Sequence, residues 1–247
     1  MTETASPSPR PWMLFAAGAA LLASGVLGGW FFESRRTGSG DRAELEQIVR
    51  ETILANPEIL PEAMERLRAR EMKKQLASVG GDVEKPFPGM VLGNPNGAVT
   101  LVEFSDYACG FCRRSVSDVE ALIAANSDLK VVIRELPILS PASGDAAKMA
   151  MAAAEQGKFE AFHKAMFAAG RVDQASIAAA ARLAGIDTAR AQQTIASPAS
   201  AQELERNIGI ARQMGFDGTP SWIIGDEIYA GAVGREELAK AIAKARG

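Results

Sequence analysis

The stretch AVTLVEFSDYACGFC, residues 98–112, constrains the fold more than any other part of the chain. Ala98–Ser105 is apolar, rich in β-branched residues and preceded by the turn Asn94–Gly97, the pattern of a buried strand. A helix opens at the cysteine motif and runs to about Ala125, and a second buried strand is expected over Leu129–Ile138. Val91-Leu92 reads as a short strand ahead of them. Five alanine-rich helical stretches follow, over 144–156, 159–169, 174–184, 188–196 and 201–214, with glycines between most of them. The chain then returns to strand at Trp222–Ile224, turns at Gly225-Asp226, pairs back over Glu227–Tyr229 and closes with a helix over Glu236–Ala245. That order, β-α-β, a helical block, then β-β-α, is an α/β sheet interrupted by a helical insertion over about residues 142–215.

Cys109 and Cys112 are the chain's two cysteines, and His163 is its one histidine. A structural zinc site needs four thiolate or imidazole ligands, which this inventory does not supply. A structural crosslink between residues three apart would close a tiny loop and remove little entropy from the unfolded chain. A redox centre explains the placement better. A CxxC just after a buried strand sets its first sulfur at a helix N-terminus, where free backbone N–H groups and the helix dipole stabilise a thiolate. Cys109 is then the nucleophile, its sulfur expected to be exposed. Cys112, one turn into the helix, resolves the mixed disulfide.

VTLVEFSDYACGFC, with GFDGTPSWIIG far downstream, resembles the DsbA-like thiol–disulfide oxidoreductases of the thioredoxin superfamily over about Phe87–Gly247. The resemblance implies a thioredoxin fold with a helical insertion over residues 85–247. It makes Cys109 the attacking and Cys112 the resolving cysteine, with Gly110 and Phe111 as the dipeptide that tunes the potential. It makes Thr219-Pro220 the loop whose proline is cis, packed on the sulfurs, with the backbone of Thr219 pairing with a substrate peptide. It also places a buried acid, Glu103, beneath the cysteines. A desolvated carboxyl there has a raised pKa and can exchange a proton with Cys112.

Upstream, Leu45, Ile48, Val49 and Ile53 recur at helical spacing, as do Ile59, Leu60, Met64 and Leu67. Asn56-Pro57 separates the two helices, with Asn56 expected to cap the second. So small a pair cannot bury its stripes alone. Residues 37–84 therefore form a linker and helical extension that docks on the main domain or pairs with copies of itself, and Ala77–Pro88 reads as a hinge. IVRETILANPEILPEAMERLRAR also resembles the extension of the suppressor-of-copper-sensitivity C (ScsC) and Com1-like branch, which implies a homo-oligomer, trimers included.

Residues 1–36 hold the uncharged run Trp12–Phe32, long enough to cross a bilayer of roughly 30 Å as a helix and flanked by Trp and Phe. It reads as a signal-anchor ahead of a signal peptide cut near Ala23-Ser24-Gly25, because the apolar run continues past that weak site. Arg10 before the span and Arg35 and Arg36 after it slightly favour the opposite orientation, but large domains translocate despite such a bias, so the thiol chemistry decides for the oxidising side. The expected place is the bacterial periplasm, anchored to the inner membrane by residues 12–32. Its expected partners are unfolded or misoxidised proteins and a membrane redox protein that resets the cysteines. A net charge of −3 gives no reason to expect nucleic acid.

Direction rests on few residues. Phe111 stands where strong oxidants of the family carry a histidine, and Thr219 precedes the proline as in periplasmic isomerases and reductases. Isomerase or reductase is the first reading and a DsbA-type dithiol oxidase the alternative. No cofactor is required. The reduced Cys109–Cys112 pair would also suit Cu(I), in keeping with a copper-tolerance protein.

Overall fold

The computed structural model describes residues 39–247, with side chains from residue 42. The expected span over 12–32 and the leader over 1–36 lie outside the described residues. Among the described residues no helix is long and apolar enough to cross a membrane. The chain divides between Glu65 and Arg66 into two compact units.

Helix α1, Ser39–Ala55, begins inside the expected linker, and helix α2 runs Ile59–Val79. Asn56 closes α1 instead of capping α2: its backbone N–H and its side-chain Nδ2 both donate to the Thr52 carbonyl, at 3.0 and 2.9 Å. Pro57 has no N–H to continue the ladder. Leu45, Ile48, Val49 and Leu54 on α1 and Ile59, Leu60 and Met64 at the start of α2 are exposed.

The expected hinge is structured. α2 continues to Val79, and Gly80–Glu84 forms a turn of 3-10 helix. Val79 and Val83 bury themselves against Val102, Phe104 and Val132. Glycines and charges suggested flexibility there, but the apolar residues between them have a sheet to pack on.

Five strands form one sheet: β1 Val91–Gly93, β2 Val99–Ser105, β3 Leu129–Glu135, β4 Ser221–Ile224 and β5 Glu227–Ala230, in the order β1-β3-β2-β4-β5. β2 and β3 are parallel, with Glu103 opposite Ile133 and Ser105 opposite Glu135; the other pairings are antiparallel. Helix α3, Gly110–Ala125, makes the crossover between them. β3 stops three residues short of the expected Ile138. The Leu136 N–H makes a last bond to the Ser105 carbonyl at 2.7 Å, and Pro137 has none to offer.

The insertion consists of α4 Ser143–Glu155, α5 Phe159–Ala168, α6 Gln174–Leu183, α7 Thr188–Ala196 and α8 Pro198–Gln213. α8 starts three residues earlier than expected because Ser197 caps it, accepting from the Ser200 N–H at 3.3 Å, with Pro198 in the first turn. Helix α9, Arg235–Ala245, closes the chain. Side chains of β2 and β3 alternate between two cores. Leu101, Val131 and Ile133 face α3, α9 and much of the insertion, while Val102, Phe104 and Val132 face the 3-10 turn and the end of α8.

Arg134 of β3, fully buried, anchors the second face. Its Nε donates to the Val83 carbonyl at 2.7 Å, and Nη2 donates to the Lys85 carbonyl at 2.6 Å and to that of Asp82. Nη1 reaches Asn207 Oδ1 at 2.5 Å and Glu203 Oε1 at 3.1 Å. All five guanidinium protons have acceptors, which is what makes a buried arginine tolerable. Arg134→Ala strands Glu203 and three carbonyls, and should cost about 3–5 kcal/mol in urea unfolding. Arg134→Met, which refills the volume but strands the same acceptors, is expected to recover only part of that loss.

Candidate active site

Cys109 is the N-cap of α3. Its backbone is extended, and its Sγ accepts the Cys112 N–H at 3.3 Å. The Cys109 N–H donates to the Asp106 carbonyl at 2.9 Å. The motif therefore begins its helix by using a sulfur where serine or aspartate usually serves. The Cys109 thiol donates across 110 residues to the carbonyl of Thr219, at 3.1 Å. The Thr219–Pro220 bond is cis. Ser221 braces the loop through its Oγ, which donates to the Gly218 carbonyl at 2.9 Å.

Both cysteines are free thiols. Cys112 has no exposed surface, and Cys109 keeps only 5%. The expectation of an exposed first sulfur is corrected to that extent: the Thr219 loop covers it, and its neighbours Ala108, Gly110 and Phe111 are the exposed residues. Phe111 is 54% exposed, and the Arg114 guanidinium lies over its ring at 4.2 Å from the centroid. A side chain at Gly110 would meet nothing within 4 Å, so glycine there leaves the approach to Cys109 uncluttered.

Glu103 is 3% exposed, on the face of β2 that carries the α3 core. Burial pushes its carboxyl up to about 8, against the opposing hydrogen bond from Ser115. The Ser115 hydroxyl lies 2.8 Å from the Cys112 carbonyl and 3.0 Å from Glu103 Oε1. One hydroxyl proton cannot serve both acceptors fully. A protonated Glu103 that donates to Ser115, which donates in turn to Cys112, satisfies all three groups. Burial, and then the Glu103 charge, hold the Cys112 thiol well above its ordinary range. Cys112 is therefore a protonated thiol that needs a base in order to react.

Three further residues of this neighbourhood carry no motif. Asp106 accepts from the Ala108 N–H at 2.8 Å, the Ile138 and Leu139 N–H groups at 2.9 Å each and the Ser143 hydroxyl at 2.7 Å. It ties the loop after β3 and the first insertion helix to the cysteine motif. Tyr107 packs against Phe162 and Phe167 of α5, and its hydroxyl lies 3.1 Å from His163 Nδ1. Burial drives His163 down to about 3, so this core imidazole is neutral. Glu135, at the end of β3, is buried as well. The one hint in the sequence is that Asp106 and Tyr107 lie immediately before the motif. Among the described residues no group of three or more His, Cys, Asp or Glu is arranged to hold a metal ion.

Residues 87–244 match the family model described as Thioredoxin. The chain belongs to the thioredoxin family. Residues 41–74 match a second model, the copper resistance protein ScsC N-terminal domain, which places this thioredoxin-family chain in the DsbA-like ScsC branch. It is 39% identical to a thioredoxin-like oxidoreductase from Silicibacter pomeroyi, covering 63% of this chain and 91% of that one, with a TM-score of 0.60. The thiol-disulfide exchange protein alpha-DsbA2 from Wolbachia pipientis is 30% identical over 72% of this chain and 97% of its own, with a TM-score of 0.66. A linker-deletion mutant of Proteus mirabilis ScsC is 26% identical over 85% and 96%, with a TM-score of 0.64. The chain is also 27% identical over 158 residues, 63% of its length, to Na(+)/H(+) antiporter NhaA 3 of Salinispora tropica. It spans about a quarter, 24%, of that protein.

The raised acid fixes a pH dependence. Below the ordinary carboxyl value of 4.5 Glu103 is neutral in both folded and unfolded chains, and folding costs nothing there. Between 4.5 and about 8 the unfolded chain ionises and the folded one does not, so stability falls as pH rises and levels off above 8. Reduced Glu103→Gln should therefore be more stable than the parent by a few kcal/mol at about pH 8, with the gain vanishing near pH 4.5. Urea midpoints across that range test it, and a gain independent of pH would count against a buried neutral acid.

Proposed function

We propose that this thioredoxin-family chain exchanges disulfides in other proteins through Cys109 and Cys112, as an isomerase or reductase of the bacterial periplasm. The observation that carries the reading is Cys109 Sγ at the α3 N-terminus, against the carbonyl before a cis proline. Glu103 lies on the sheet face below, its charge acting on Cys112.

The Cys109 thiolate attacks one sulfur of a substrate disulfide. A Cys109–substrate disulfide forms, the substrate S–S bond breaks, and the other substrate sulfur leaves as a thiolate that takes a proton from water. In isomerisation a different substrate thiolate attacks the substrate sulfur of this mixed disulfide, releasing Cys109 as thiolate with no net electron transfer. In reduction Cys112 gives its proton to the Glu103 carboxylate and attacks Cys109 Sγ. The second substrate thiolate leaves, and two electrons have passed from the cysteine pair to the substrate. The reverse of that sequence is dithiol oxidation. Phe111 between the cysteines provides no cationic partner for a Cys109 thiolate, which favours the isomerase or reductase direction. A membrane redox protein that returns the disulfide to the dithiol completes the cycle.

The exposed apolar residues Leu45, Val49, Leu54 and Leu60, together with the match to an ScsC extension, support self-association of residues 37–84, with a trimer as the expected state. Several active sites around one misfolded chain suit isomerisation. Anchoring to the inner membrane by residues 12–32 belongs to the same reading, since disulfide chemistry operates in oxidising compartments. Copper handling by the two thiols is a secondary reading that rests on the description of the extension family.

Cys109→Ala should abolish reactivation of a scrambled disulfide protein, and Cys112→Ala should accumulate mixed disulfides visible on non-reducing gels; full activity in Cys109→Ala sinks the mechanism. Leu45→Glu with Val49→Glu should give a monomer by light scattering and lose isomerase activity while still reducing a small disulfide. Cysteines found oxidised in the cell would reverse the assigned direction in favour of the oxidase.

A further inference from the structure

Among the described residues, the buried side-chain polar atoms without a hydrogen-bond partner are Ser105 Oγ, Glu135 Oε1 and Thr219 Oγ1. All three belong to the surroundings of the cysteine motif, and two of them are register partners, since Ser105 stands opposite Glu135 in the β2–β3 ladder. Native proteins seldom leave such atoms unpaired, so a cluster of them calls for a functional account.

Strand alternation puts Glu103, Ser105 and Glu135 on one face of the sheet. Glu135 is one strand over and two residues on from the register of Glu103, about 8 Å away at the backbone, with Ser105 adjacent to both. Glu135 is 1% exposed, so it has no water to ionise into. The charged groups acting on it are Asp106, from the loop after β2, and Glu103, both acids; Tyr107 is its hydrogen-bonding neighbour. On α5, His163 lies beyond Tyr107 and is neutral, and on α3 Cys112 carries its proton. Arg134, the adjacent cation, spends its donors on Asp82, Val83, Lys85, Glu203 and Asn207. Nothing on this face compensates two carboxylates at once, and such a pair exchanges protons as a unit.

We propose that Glu135 is a positioning residue of the thiol–disulfide reaction, a second buried carboxyl that shares protons with Glu103 across the Ser105 hydroxyl. It keeps its proton while Glu103 carries the charge, and it takes over part of the proton transfer when Glu103 cannot ionise. The proposal rests on the Glu103 relay described above. No electrons move through Glu135: the proton leaving Cys112 goes to the carboxyl pair and returns when Cys112 is reduced again.

The test joins infrared spectroscopy of protonated carboxyls in the reduced full chain to stopped-flow rates of Cys112 attack on a Cys109–thionitrobenzoate mixed disulfide. Both are run from about pH 6 to about pH 10. The parent should show one carboxyl band that bleaches near pH 8 and a second that persists above the ordinary carboxyl range. Glu135→Gln should remove the persistent band. In Glu103→Gln the remaining band should bleach at least about half a pH unit lower than in the parent, as the repulsion is gone. The rate should retain a pH dependence in Glu103→Gln that the double variant with Glu135→Gln lacks. A Glu135 band unmoved by Glu103→Gln, or a Glu103→Gln rate profile as flat as that of the double variant, overturns the proposal. A parent rate independent of pH overturns the relay and this proposal with it, and is recognised because the Glu103 band still bleaches near pH 8. If Glu135→Gln does not fold, Ser105→Ala in the Glu103→Gln background should lose the residual pH dependence; retaining it overturns the bridging role.

Discussion

A parallel strand pair buried on both faces gives an ionisable side chain nowhere to meet water, and the rest of the site follows from how β2 and β3 handle that constraint. On one face Arg134 keeps its charge because three carbonyls, an amide oxygen and Glu203 converge on its guanidinium. On the other, among the described residues no cation faces Glu103 or Glu135, and burial pushes both carboxyls up. The two solutions differ because an arginine cannot shed its proton in a protein, whereas a carboxyl can take one up. The arginine side therefore becomes architecture. The carboxyl side keeps buried acids on the face that carries Cys112.

The two cysteines then divide by depth. Cys109 caps α3 and meets the Thr219 loop, so its sulfur has hydrogen bonds from both ends of the fold. Cys112 sits one turn deeper with no exposed surface and the Glu103 charge beside it. Burial and the Glu103 charge both favour the protonated thiol at Cys112. The division of labour arises from position along one helix turn and requires no difference in the residues themselves.

Much of this was legible in the chain. β2 and the motif were clear because β-branched residues crowd Ala98–Ser105 and the helix starts at once. The insertion helices are legible because glycines punctuate alanine-rich runs, whereas the start of α8 lies earlier than its alanine pattern because Ser197 caps it and Pro198 opens its first turn. The order over Ala77–Pro88 is not legible, because local composition cannot reveal that Val79 and Val83 have Val102, Phe104 and Val132 to pack on. Asn56 closes α1 and does not cap α2, a choice local sequence does not dictate because an Asn between two helices can serve either end. Glu103 stood out only through resemblance. Asp106 and Tyr107 offer only their place just before the motif, since their partners lie 32 to 56 residues away, and Glu135 carries no signal at all.

Asp106 shows why such residues matter for the choice between architecture and chemistry. Its carboxyl gathers the N–H groups of Ile138 and Leu139 and the hydroxyl of Ser143, so the chain leaving β3 is fastened to the residue three before Cys109. Those same bonds turn the exposed side chains of Ile138 and Leu139 outward from a loop held against the motif. Phe111 exposes a third apolar surface next to Cys109. A thiol that acts on many unfolded chains needs apolar surface nearby that does not select one sequence, and it needs that surface rigid enough to present a disulfide in line. The acid three residues before the nucleophile fixes the loop after β3, while the helix that begins at the nucleophile fixes Phe111. The exposed apolar side chains and the Cys109 sulfur are thus held in place by the same few residues around the start of α3.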